Sequence, residues 1–121
     1  MSMSIQSGYR HWSDTKVIHV TGKISVSGNY TVGGDTLSFG INSPSIKTGV
    51  TSPQYCDINL GTGYSLQFIP NPVNPTLLNG LVKVFNFVTG LELPTGAYPA
   101  ALIADINITF HAIFRKYVDL G

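Results

Sequence analysis

Over residues 16–27 the chain alternates with a period of two. Ile18, Val20, Gly22, Ile24 and Val26 fall on one face, and Val17, His19, Thr21, Lys23 and Ser25 on the other. Successive side chains of a strand point to opposite sides, so this stretch buries one face as a strand and presents no helical stripe. Gly22 marks a place where such a strand can bend. The pattern returns near the other end. In a predicted strand over residues 103–115, Ile106, Ile108, Phe110, Ala112 and Phe114 share a face, opposite Asn107, Thr109, His111, Ile113 and Arg115. Between these, Leu37, Phe39 and Ile41 alternate within 36–41, and Tyr64, Leu66 and Phe68 within 64–69. Residues 54–60 and 64–69 read as a hairpin joined at Gly61-Thr62-Gly63. Residues 81–89 are apolar on both sides, with Val82, Val84 and Val88 on one and Leu81, Phe85 and Phe87 on the other. Such a strand is central, or its outer face meets another chain.

The punctuation agrees with many short strands. Residues 28–35 carry Gly28, Gly33 and Gly34 and read as a loop, and Pro70, Pro72 and Pro75 stop any strand there. Asn79-Gly80 reads as a turn, and residues 91–99 as a loop punctuated by Pro94, Gly96 and Pro99. The best helical stretch, 97–105, is interrupted by Pro99. A chain of 121 residues suits one domain with one core. These features predict an all-β, single-domain antiparallel β-sandwich, jelly-roll-like, with about six to eight strands. The expected division is an N-terminal arm over 1–15, the sandwich over 16–116 and a C-terminal tail over 117–121.

Charge bears on what the surface meets. Charged residues make up 11% of the chain, against about 25% in an ordinary soluble domain. A surface so sparsely charged is poorly protected against association, which points to cover by partners. The net charge is +1 and the basic residues are scattered, Arg115-Lys116 being the one adjacent pair, so no nucleic-acid grip is expected. The opening residues lack the pattern of a secretion signal, and no apolar run approaches the roughly 20 residues of a membrane helix. The single cysteine, Cys56, excludes an intrachain disulfide and reads as a packed, inert thiol. Aromatic and arginine side chains are the usual anchors of interfaces. The candidate interface residues are therefore Tyr9, Arg10, His11 and Trp12 before the first strand, Leu81, Phe85 and Phe87, and Arg115, Lys116 and Tyr117 after the last. The plainer reading of the end segments is that they fold back and cap the sandwich.

Catalytic patterns are not visible. His11, His19 and His111 have no metal-type spacing with one another, with Cys56 or with a carboxylate. Asp14, Asp35, Asp57, Glu92, Asp105 and Asp119 are spread thinly and suggest no acid–base pair. The glycine pairs lack the Gly-Lys-Ser/Thr context of a phosphate loop. The expectation is no enzyme, no cofactor, no metal and no small-molecule substrate. Trp12 and the tyrosines could line a carbohydrate platform, although aromatic residues in a β-protein more often serve the core or an interface.

Three segments, 28–39, 79–85 and 92–114, carry a resemblance. In order they run Gly28-Asn29-Tyr30, Gly33-Gly34-Asp35 and Leu37-x-Phe39, then Asn79-Gly80-x-Val82-Lys83-Val84-Phe85, then Gly96-Ala97-Tyr98-Pro99-Ala100 and Thr109-Phe110-x-Ala112-x-Phe114. This order resembles small head decoration (cement) proteins of tailed bacteriophages, including cyanophages, over residues 17–116. The resemblance implies a β-sandwich, as a homotrimer, on the outer surface of the phage head. There it would bridge neighbouring major capsid proteins, after synthesis in the bacterial host cytoplasm. It implies no catalytic residues, no nucleic acid and no membrane. Alternatives are a structural or adhesive module of the phage tail or fibre, and a carbohydrate-binding β-sandwich.

Overall fold

The computed structural model describes residues 3–6, 10–13, 17–39, 55–59, 63–73 and 79–115. In chain order the elements are β1 (Met3–Ile5), β2 (Arg10–Ser13), β3 (Val17–Val26), β4 (Asn29–Tyr30), β5 (Asp35–Leu37), β6 (Tyr55–Asn59), β7 (Tyr64–Ile69), β8 (Gly80–Asn86), β9 (Gly96–Ala97), α1 (Ala100–Ala104) and β10 (Thr109–Arg115). They build an all-β, sandwich-like fold from three antiparallel sheets. A five-stranded sheet has the order β1-β3-β10-β6, with β2 also on β3; a three-stranded sheet has the order β5-β8-β7; β4 pairs with β9. The period-two pattern explains the longest pair. β3 and β10 lie in register from Thr109 opposite Lys23 to Arg115 opposite Val17. That register turns Val20, Ile24, Phe110, Ala112 and Phe114 inward, and all are buried.

The three-stranded sheet answers with Leu37, Leu66, Val82 and Val84, also buried. Phe39 sits where the sheets meet, edge-on to Phe68, Phe110 and Phe114 at 5.8, 5.9 and 5.1 Å between ring centres. Each fully buried side chain of this size contributes roughly 1.5–3 kcal/mol. The sheets touch along both margins, β6 against β7 and β1 against β5. Gly80 shows how tight the packing is: a Cβ there would lie 2.5 Å from the Phe68 ring.

Several sequence expectations need correction. Within the segment 1–15, the described residues form β1 and β2, which take successive lengths of one edge of β3. Met3 and Ile5 are buried in the core. Residues 55–59 and 64–69 do form strands, but not a paired hairpin: β6 pairs with β10 and β7 with β8, so the chain changes sheets there. Asn79-Gly80 does not stand outside the sheet as a turn, since Gly80 begins β8 opposite Leu37. β8 stops at Asn86, because the Asn86 side-chain oxygen accepts from the amides of Val88 and Thr89 at 2.9 and 3.2 Å and turns the chain. Phe87 therefore leaves the face shared by Leu81 and Phe85. The strand expected from residue 103 begins at Thr109. Pro99 is tolerated as the cap of α1, and Asp105 then accepts from the Asn107 amide at 2.8 Å, turning Ile106 into solvent. More strands than six to eight arise because three-residue and two-residue pairings complete the sheets. Ile41 lies outside the described residues.

Candidate functional site

The inward turn of Val20 and Ala112 forces their neighbours outward, and the register sets those neighbours in rows across β2, β3, β10 and β6. One row runs Trp12, His19, Ile113, Tyr55. The next runs Arg10, Thr21, His111, Asp57, and a third runs Lys23, Thr109, Asn59. His19 and His111 lie diagonally across the β3–β10 pair, within reach of one another. His19 Nδ1 and His111 Nε2 are 3.0 Å apart. One ring must donate its N–H to the lone pair of the other, so this contact requires at least one neutral imidazole.

Trp12 closes the cluster from β2. Its ring lies parallel to His19 at 4.9 Å and 2°, and is stacked with His111 at 5.9 Å and 22°. Tyr55 meets His111 edge-on at 6.0 Å from the β6 side. The His19 and His111 ring centres are 5.3 Å apart, so the three near-parallel rings of Trp12, His19 and His111 pack as a compact triangle. The cluster is not core: Trp12 is 49% exposed and Tyr55 48%. Beside it lies an open depression of about 570 Å³. Arg10, Lys23 and His111 line it together with Gln6, Thr21, Asn59 and Thr109.

A second cluster joins tyrosines to carboxylates: Tyr30 and Tyr98 are buried, and Glu92 and Asp35 are half-buried. The Tyr30 hydroxyl donates to Glu92 Oε2 at 2.5 Å and accepts from the Val84 amide at 3.2 Å. The Gly33 amide donates to the same Glu92 oxygen at 2.7 Å. Tyr98 donates to Asp35 Oδ2, and its ring meets Tyr30 edge-on at 5.7 Å. The Gly34 backbone can pass over Leu81 because a Cβ would lie 3.0 Å from that residue's own Cβ and φ is +123°. The Tyr30 hydrogen bond, then that of Gly33, hold the Glu92 carboxyl below its ordinary range. Burial, then the bond to Glu92, raises the Tyr30 phenol to about 12. Burial and Asp35 raise Tyr98 further still. This latch joins the 28–39 segment to the 92–98 segment, so those stretches of the resemblance carry fold, with their polar atoms already engaged.

A third feature is apolar. The turn after β8 is tightly bonded, with Asn86 N donating to Leu91 O at 2.9 Å, Gly90 N to Asn86 O at 2.8 Å and Phe87 N to Gly63 O at 2.9 Å. It nevertheless holds Phe87 76%, Val88 89% and Leu91 69% exposed.

The expected interface residues are therefore divided. Arg10 and Trp12 are exposed on the outer face of the five-stranded sheet. Leu81 and Phe85 are half-buried on β8 of the other sheet, and Phe87 is on the exposed turn. His11 and Arg115 belong to β2 and β10. Tyr9, Lys116 and Tyr117 lie outside the described residues. Cys56 packs against the core, and burial followed by the Asp57 charge pushes its thiol up to about 12, which disfavours the nucleophilic thiolate. Among the described residues, no three His, Cys, Asp or Glu side chains are grouped to hold a metal, and no helix is long and apolar enough to cross a membrane. The juxtaposition of His19 with His111 escaped the sequence reading. Their shared outward parity was visible, but their register was not. Comparisons with protein-family models, curated proteins and solved structures found no match.

Proposed function

We propose that this chain is a structural virion protein, a decoration or cement protein that binds the outer surface of a tailed-phage head and bridges neighbouring major capsid proteins. The observation that carries this reading is the turn after β8. A mobile loop can fold its apolar side chains away, but this one is held by backbone bonds and by Asn86 while Phe87, Val88 and Leu91 face water. Contiguous exposed apolar groups of this kind are stabilised by a partner surface. Support comes also from the low charge and from the resemblance over residues 17–116.

The mechanism is additive. A trimer presents three copies of the turn, and each contact is modest. Simultaneous engagement of neighbouring capsid subunits multiplies residence on the lattice without any new contact. Cosedimentation with empty capsids, paired with electron microscopy of virions, tests the reading. The wild-type protein should bind and give density on the head exterior. A Phe87→Ser/Val88→Ser variant should keep its fold and lose binding. Density on the tail would move the protein to the tail or fibre. Absence from the virion, or undiminished capsid binding by the variant, would overturn the proposal.

A further inference from the structure

The outer face of the five-stranded sheet is separate from the apolar turn and has the chemistry of a ligand site. We infer that its depression, with the Trp12–His19–His111 stack as its aromatic flank and Arg10 and Lys23 in its lining, binds an acidic oligosaccharide, a sugar chain bearing carboxylates. This inference does not rest on the capsid reading and stands or falls apart from it.

The argument begins with shape. The depression is open, and it runs over the rows of Thr21 with His111 and of Lys23, Thr109 and Asn59. A small molecule favours an enclosed pocket that buries most of its surface. An open floor crossing several strands fits part of a chain. Hydroxyl and amide side chains of Thr21, Thr109, Asn59 and Gln6 are part of its lining, and each can both donate and accept. Sugar hydroxyls need that versatility. An acidic peptide, whose backbone is best met by a free strand edge, does not match a floor made of side chains.

The aromatic flank adds to the case. His19 backs Trp12 in parallel, fixing the indole, while 49% of the residue still meets solvent. The face of an aromatic ring is electronegative and attracts the C–H groups of a pyranose. A pre-positioned ring loses little entropy on binding. His111 belongs to both the stack and the depression, so the flank and the floor are continuous.

Charge selects the class. Arg10 lies opposite Thr21, two residues along β3 from Lys23, so both cations stand at the same side of the depression. The carboxylate in the Arg10 row is Asp57, three strand spacings away, about 14 Å. The Asp57 Oδ2 atom accepts from Asn59 Nδ2 at 3.4 Å. The Arg10 side of the face is thus positive, and a guanidinium fork suits a carboxylate.

Trp12 is the only tryptophan of the chain, so its fluorescence reports on this face alone. Titration of the full-length protein with oligogalacturonate should give a saturable change that weakens as salt is raised. Neutral oligosaccharides of equal length should bind more weakly. By calorimetry, Arg10→Gln/Lys23→Gln should weaken oligogalacturonate about tenfold or more and leave the neutral chains unchanged. Trp12→Ala should weaken both. These side chains sit at the surface, and circular dichroism should show the fold unchanged. Equal affinity for neutral and acidic chains would overturn the acidic class. No saturable binding, or binding indifferent to all three substitutions, would overturn the site. Tighter binding of polyglutamate or single-stranded DNA, or Trp12-dependent self-association that blocks the titration, would assign the face to another occupant and equally overturn the inference.

Discussion

The tyrosine–carboxylate latch and the outer aromatic stack behave differently. Both join aromatic rings to titratable groups across elements distant in the chain: Tyr30 and Glu92 are 62 residues apart, and His19 and His111 are 92 apart. In the latch the polar atoms are turned on one another. The Tyr30 hydroxyl both donates and accepts, and Glu92 takes two donors on one oxygen. In the stack the rings pack against one another with half of Trp12 and half of Tyr55 left in water. A polar group whose partners are all internal serves the fold, because removing it from water is compensated only by those partners. A pre-stacked ring that remains exposed is available to something else.

The widest separation between the two regions should appear on truncation. Tyr30→Ala removes a fully buried ring along with its hydrogen bonds, and should destabilise by about 3–5 kcal/mol in urea titration. A loss below about 1 kcal/mol would show that the latch is ornamental to the fold.

Alkaline pH should separate the regions next. Unfolded tyrosine ionises near pH 10. The folded Tyr30 phenol is raised to about 12, and Tyr98 is also raised. Above about pH 10 the unfolded chain sheds protons that the folded chain keeps. Stability is therefore full below that pH and falls as pH rises towards the folded values. Between the two, each tyrosine contributes a slope of about 1.4 kcal/mol per pH unit. Trp12 carries no group that ionises in this range, so Trp12→Ala should leave the slope intact.

Tyr30→Phe is the subtler cut. It keeps the ring but leaves the Val84 amide and the Glu92 carboxylate without the hydroxyl. The expected loss is about 1–3 kcal/mol. The pH profile should change at both ends. The alkaline slope should shrink by the Tyr30 share. On the acid side, the lowered Glu92 carboxyl contributes stability that is present above its unfolded value, near pH 4.3, and is lost as pH falls through the folded one. The Tyr30 bond is the first cause of that lowering, so the acid loss should shrink as well. Equilibrium unfolding across pH measures both ends together.

How much of this was legible depends on how far apart the deciding atoms lie in the chain. Period two marked the inward sets of β3 and β10, because alternation is local: Val20, Ile24, Phe110, Ala112 and Phe114 were readable and are buried. The strand character of Met3–Ile5 was missed because three residues carry too little pattern, and only pairing with β3 makes them a strand. The early stop of β8 was misread for a different reason. Apolar alternation continues through Val88, but the Asn86 side chain competes for the backbone amides that a ladder would need. Neither tyrosine–carboxylate pair was legible, and nor was the His19–His111 contact. Each depends on register, which alternation constrains only to one face or the other.

The smallest stability effect should belong to Trp12→Ala, and its smallness is what gives it meaning. The indole stacks on His19, and aromatic pairs of this kind contribute about 0.5–1.5 kcal/mol beyond area. Much of the ring is already in water, so little transfer free energy is at stake. The expected loss is about 1 kcal/mol or less, read as a small fall in the urea midpoint with the slope unchanged. A loss that small would fit a ring kept for a contact outside the fold. Were Trp12→Ala instead to cost as much as Tyr30→Ala, the row across β2, β3, β10 and β6 would be a second core element. The difference between the latch and the stack would then be one of exposure alone.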